Sequence, residues 1–158
     1  MIPTKMNCRI SGCVASLFLA AALCAAAPGT FDGTWQMDSA KSHVSDGRVV
    51  RITIATVDNA LKITMITKKS DGQEITSEFT SKLDGKACEA IEGSHKSHIT
   101  MWYNGDSLNA SKEGGPVGDI TSLWKFELSP DRQTMTMKIS HYDPAADDET
   151  LVFTKKAS

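Results

Sequence analysis

From Val50 onward, apolar side chains recur at every second position rather than at every third or fourth. The clearest run is Thr134 to Tyr142, where Met135, Met137, Ile139 and His141 alternate with Thr134, Thr136, Lys138 and Ser140. That period places one set on a dry face and the other on a wet face of a β-strand. The same alternation appears in Val50, Ile52, Ile54; Leu61, Ile63, Met65; Ile75, Ser77, Phe79; Ile99, Met101, Tyr103; and Ile120, Ser122, Trp124, Phe126, Leu128. Thr, Ile and Val are frequent in these runs, as a pleated surface favours. No helical periodicity extends beyond about two turns.

Turn residues punctuate the runs at short intervals: Asp58-Asn59, Asp71-Gly72, Asp84-Gly85, Asn104-Gly105-Asp106, Gly114-Gly115-Pro116, Pro130-Asp131 and Asp143-Pro144. The first, second and fourth read as tight hairpins. Short connections make successive strands antiparallel neighbours, so the expected fold is all-β, an antiparallel up-and-down meander of eight to ten strands. An open sheet of that length would leave exposed edges and an uncovered apolar face. Closure into a barrel removes both, whereas a sandwich needs longer crossover connections than most of these. The predicted inward set is Ile52, Ile54, Ile63, Met65, Ile75, Phe79, Ile99, Met101, Tyr103, Ile120, Trp124, Phe126, Met135, Met137, Ile139, Leu151 and Phe153.

The N-terminus follows a different pattern. Lys5 and Arg9 are the only charges before Asp32, and they precede an apolar run from Val14 to Leu23 and the small residues Cys24 to Ala27. A basic patch, a short apolar core and small residues in that order form a secretory signal peptide. The run is too short to span a bilayer, which takes roughly 20 residues. Residues 1–27 are therefore assigned to an export signal, with cleavage after Ala26 or Gly29, and residues 28–158 to one barrel domain. Leu23, bulky and just before Cys24, argues against a lipid anchor there. The expected location is periplasmic or extracellular, in a bacterium, and no transmembrane segment is expected in the mature chain.

Dividing the chain changes its composition. The signal holds two of the 17 basic residues and none of the 19 acidic ones, which leaves a mature chain with four net negative charges. Nothing basic remains to attract a phosphate backbone, so nucleic acid is not an expected partner. Three of the four cysteines also lie in the signal, leaving Cys88 alone. No intramolecular disulfide is possible, so the core must hold the fold. Cys88 itself is expected to be a half-buried small residue.

Gly33-Thr34-Trp35, opening the first strand, resembles the Gly-x-Trp signature of lipocalin-type barrels. The stretch Gly33 to Ser42, then Leu83-Asp84-Gly85-Lys86, Leu128-Ser129-Pro130-Asp131 and the ending Leu151 to Lys156 are together similar to a family of small exported bacterial lipocalin-like (calycin-like) proteins of mostly unassigned role. The resemblance implies a barrel that binds a small apolar molecule, with Trp35 as a plug at the closed end. Lipocalins proper carry a late arginine over the signature Trp. Here that role falls to Lys155 or Lys156, or stays unfilled. The family's usual glycine after Ser-Pro-Asp is Arg132 in this chain.

Small barrels either fill their interior or hold one ligand, and the sequence leaves both open. If a cavity exists, the ligand-binding residues are Met101, Tyr103, Trp124, Met135 and Met137, and the protein carries a small apolar ligand. The alternative is a solid barrel that serves as an envelope or protein-interaction module. No cofactor is expected. His95 and His98 fall on opposite faces of a strand, and zinc needs more ligands. Met135 and Met137 share a face that could suit copper(I), but His141 lies about 13 Å beyond Met137 along a strand. Asp143, Asp147, Asp148 and Glu149 lack the spacing of a calcium loop and read as a solvated hairpin tip. No Gly-x-Ser-x-Gly elbow is present, and Glu74 and Glu78 point to solvent, so catalysis is not expected.

Overall fold

The computed structural model describes residues 30–114 and 119–157. The export segment assigned to residues 1–27, with its cleavage sites and three cysteines, and the glycine-rich turn after Gly114 lie outside the described residues. Ten antiparallel strands form one closed barrel: β1 (Gly33–Met37), β2 (Val49–Val57), β3 (Ala60–Lys68), β4 (Glu74–Ser81), β5 (Cys88–Glu92), β6 (His95–Asn104), β7 (Ser107–Gly114), β8 (Asp119–Leu128), β9 (Thr134–Tyr142) and β10 (Ala145–Lys155). Each strand pairs with its sequence neighbours, and β1 closes the ring on β10 with Trp35 opposite Lys155 and Met37 opposite Phe153. The barrel, rather than the sandwich, is thus the way this chain removes its sheet edges.

Turn chemistry fixes the register. Asp58 and Asn59 both take positive φ, 49° and 62°, the conformation that matches a two-residue loop to strand twist. Gly105, at φ 59°, does the same service between β6 and β7. Asp71-Gly72 is not a tight hairpin: it lies within the longer loop 69–73, closed by the Lys69 N–H donating to the Gln73 carbonyl at 2.8 Å. Gly93-Ser94, absent from the predicted turns, joins β5 and β6 with Gly93 at φ 59°.

One end of the barrel is packed solid. Phe31, Trp35, Ile52, Ile54, Ile63, Met101, Leu108, Phe126, Met135 and Phe153 are all buried there, each large side chain contributing roughly 1.5–3 kcal/mol by leaving water. Trp35 donates its indole Nε1–H to the Phe31 carbonyl at 2.8 Å, and Lys155 Nζ sits 5.2 Å from its ring centroid. Lys155 therefore fills the cationic place over the signature Trp. The glycine of Gly33-Thr34-Trp35 has a physical reason too. Gly33 has φ 138°, and a Cβ there would stand 2.6 Å from Lys155 Cε.

β1 has five residues and β10 eleven, so β10 would expose a long free edge above Met37. The segment 38–48 covers it. Asp38 N–H donates to Val152 O at 2.7 Å, and His43 and Thr150 exchange backbone bonds at 2.6 and 3.0 Å. The Ser42 hydroxyl accepts from the Val152 N–H at 2.9 Å.

Of the predicted inward set, Ile120 is misplaced: it is 47% exposed. A register irregularity lets Lys112 pair with Ser122 while Glu113 pairs with Ile120. The extra residue, Thr121, reverses the alternation above it.

Candidate functional site

The opposite end of the barrel is open. Strand β9 carries Met137, Ile139 and His141 inward in rising order, and β8 carries Phe126, Trp124 and Ser122 beside them. Apolar side chains thus give way to polar ones at the same level on neighbouring strands. β3 repeats the gradient with Met65 and Thr67 and β7 with Ala110 and Lys112, while β4 reverses it, Ser77 standing beside Met65 and Ile75 beside Thr67. The result is a cup of about 380 Å³, at the small end of ligand-sized cavities. Its depth is lined by Val50, Met65, Ser77, Ile99, Trp124, Met137, Ile139 and Leu151, and its mouth by Asp46, Arg48, Thr67, Lys69, Ile75, Glu92, Lys112, Ser122, His141 and Asp143.

Two ion-paired groups stiffen the mouth. Glu149 is 4% exposed, yet it is fully partnered. Arg48 grips both carboxylate oxygens, with Nη1 to Oε1 at 3.1 Å and Nη2 to Oε2. The Ser45 N–H and hydroxyl each donate to Oε1 at 3.1 Å, and His141 Nε2 lies 3.2 Å from Oε2. Burial pushes the Glu149 carboxyl up, but the Arg48 hydrogen bonds, the Ser45 N–H, the Arg48 charge and His141 outweigh it and bring it down to about 2. Arg48 also holds Asp46 at 2.9 Å. On another part of the rim, Lys112 Nζ pairs with Glu92 Oε2 at 2.6 Å.

The five predicted ligand residues do not form one cluster. Trp124 and Met137 line the cup. Trp124 is anchored by its Nε1–H donating to Ser122 Oγ at 2.9 Å and meets Phe126 edge-on with centroids 6.5 Å apart. Met101 and Met135 are fully buried among the packed side chains. Tyr103 lies at the closed end, its ring 6.3 Å from Phe31. A period of two tells inward from outward, but the level along the barrel axis depends on strand stagger, which the alternation does not carry.

Sequence reasoning missed Arg48, Glu92, Lys112 and Glu149. The sequence pattern groups Glu149 with a solvated acidic tip, of which Asp143, Asp147 and Asp148 are exposed and Glu149 is not. The register irregularity between Ala146 and Glu149 turns Glu149 inward, opposite Ile139. For Lys112 a signal existed: it continues the alternation Leu108, Ala110, Lys112. Cys88 is half-buried, its Sγ–H donating to the Ile99 carbonyl at 3.1 Å, and burial pushes the thiol up. Such a thiol is a poor nucleophile.

Among the described residues no three His, Cys, Asp or Glu side chains are grouped to hold a metal ion, and no helix is long and apolar enough to cross a membrane. The barrel's outer face carries the pairs Lys62 with Glu78 at 2.8 Å and Lys125 with Glu127 at 2.6 Å. Charges at mid-strand are costly on a lipid-facing wall. The chain matches no protein-family model and no curated protein.

Proposed function

We propose that this protein is an exported, lipocalin-like carrier that binds one small, mainly apolar molecule in the open end of its barrel and acts by binding rather than by catalysis. The observation that carries the reading is the cup itself: a cavity of about 380 Å³ with an apolar depth, open to solvent, above a floor packed without slack. A barrel built only as a solid module would have bulky side chains at both ends of every strand. Here the close-packed side chains fill one end, and the small residues Thr67, Ser77 and Ser122 occupy inward positions in the open half. The basic, apolar and small-residue order at the N-terminus supports export, and the Gly33-Thr34-Trp35 arrangement with Lys155 supports the lipocalin-like reading. At roughly 30 Å³ per water-sized group, the cup accommodates about a dozen non-hydrogen atoms, so a longer ligand would protrude through the mouth.

Native mass spectrometry of the protein purified from its own host tests this reading, together with titration of apolar molecules against tryptophan fluorescence, to which Trp124 reports. A bound species of a few hundred daltons, or a saturable change in emission, is the expected result. A ligand-free protein whose emission no apolar molecule alters would overturn it, and a co-purifying protein in place of a ligand would favour the interaction-module alternative.

A further inference from the structure

Resting on the carrier reading, we propose that the cup selects an amphipathic molecule with an uncharged, hydroxyl- or amide-bearing head, inserted apolar part first. The orientation follows from the balance of the wall, mainly apolar at depth and mainly polar at the mouth. The head chemistry follows from which polar groups at the mouth already have partners.

Every charge that reaches below the rim has an ionic partner within the protein. Arg48 is shared between Glu149 and Asp46, and Lys112 is paired with Glu92 at 2.6 Å. Lys69 and Asp143 are exposed, on turns at the outer rim, where water screens them. A carboxylate head would have to break one of these pairs or go unpaired in a partly dehydrated site, and so would an ammonium head; both carry a desolvation cost. The side chains left over are neutral hydrogen-bonding groups. Thr67 and Ser77 face the cup from β3 and β4 and their hydroxyls make no hydrogen bond to another described residue, while Ser122 Oγ accepts from Trp124 and still has its own proton to donate. Met65 opposite Ser77 and Thr67 opposite Ile75 set each of these hydroxyls beside an apolar neighbour at its own level. A hydroxyl or amide can both donate to and accept from such a ring without disturbing either ion pair.

The test is displacement of the neutral fluorescent probe N-phenyl-1-naphthylamine at pH 7 by molecules sharing a ten-carbon chain: decan-1-ol, monodecanoylglycerol, decanoate and decylammonium. The alcohol and the glyceride should displace the probe at concentrations about tenfold lower than either charged molecule. The double variant Thr67→Val/Ser77→Ala should weaken the alcohol and glyceride about tenfold, which simple partitioning into an apolar cup would not do. Lys112→Gln, which leaves Glu92 unpaired, should shift the preference toward decylammonium. A charged molecule that matches or exceeds the alcohol on the unaltered protein overturns the inference while leaving the carrier reading intact, as does an unchanged preference in the double variant. If neither the probe nor any of the four molecules binds, the carrier reading fails and the head-group inference with it.

Discussion

Replacing Glu149 by Gln removes one charge from the mouth while keeping size and shape, and the structure sets the magnitude of the effect. The carboxyl sits at about 2, against 4.5 for the free side chain, and each unit of displacement is worth about 1.4 kcal/mol. The native interactions therefore favour the charged form by about 3 kcal/mol relative to the unfolded chain. Because the folded-state value is the lower one, that stability is fully present above about pH 5. It drains away as the pH falls from 4.5 toward 2, where both states become protonated. Urea unfolding followed by tryptophan emission should show Glu149→Gln less stable by about 3 kcal/mol at pH 7, nearly as much at pH 5, and only about 1 kcal/mol at pH 3. Arg48 keeps Asp46 as a partner in the variant, so the fold should survive. Replacing both members, as Arg48→Met/Glu149→Leu, should cost less than the single change, because a missing pair leaves no buried charge behind. A deficit below about 1 kcal/mol at pH 7, or one that does not shrink between pH 5 and pH 3, would refute the assignment of Glu149 as the charged centre of this network.

Three further outcomes follow from the packing. Gly33→Ala should lower stability by about 1–3 kcal/mol in chemical denaturation, since φ 138° suits glycine and the added methyl would displace Lys155 from the Trp35 ring. Arg132→Gly should stabilise the protein by up to about 1 kcal/mol in the same assay: Arg132 holds φ 56° in the turn after β8, a conformation that costs a residue with a Cβ and not a glycine. Ile75→Trp should fill the cup and abolish binding of N-phenyl-1-naphthylamine while leaving the thermal midpoint within a few degrees, because Ile75 lines open space rather than the packed floor. Unaltered probe binding by that variant would place the binding site elsewhere.

The architecture was legible in the sequence because a half-buried strand declares itself twice, by parity and by the turn residues that end it. Met135, Met137 and Ile139 lie inward as their alternation predicts, and Trp35 plugs the closed end as the Gly-x-Trp resemblance implies. The site was legible only in part, for two distinct physical reasons. Height along the barrel comes from strand stagger, a long-range quantity, and so Trp124 and Met137 reach the cup while Met101 and Met135, identical in parity, do not. Parity itself fails at irregularities of pairing, and the described residues have two on the strands that form the mouth. One, beside Lys112 and Glu113, sends Ile120 to solvent; the other, between Ala146 and Glu149, brings a carboxylate from an apparent surface tip into contact with Arg48 and His141. Each adds residues to one strand without a partner on the other, and each lies at the open end. The same local slips that hide the site from a periodic reading therefore help to build it. By breaking the regular inward sequence of large apolar residues just below the rim, they leave the mouth unfilled, and the second gives it the Arg48–Glu149 pair.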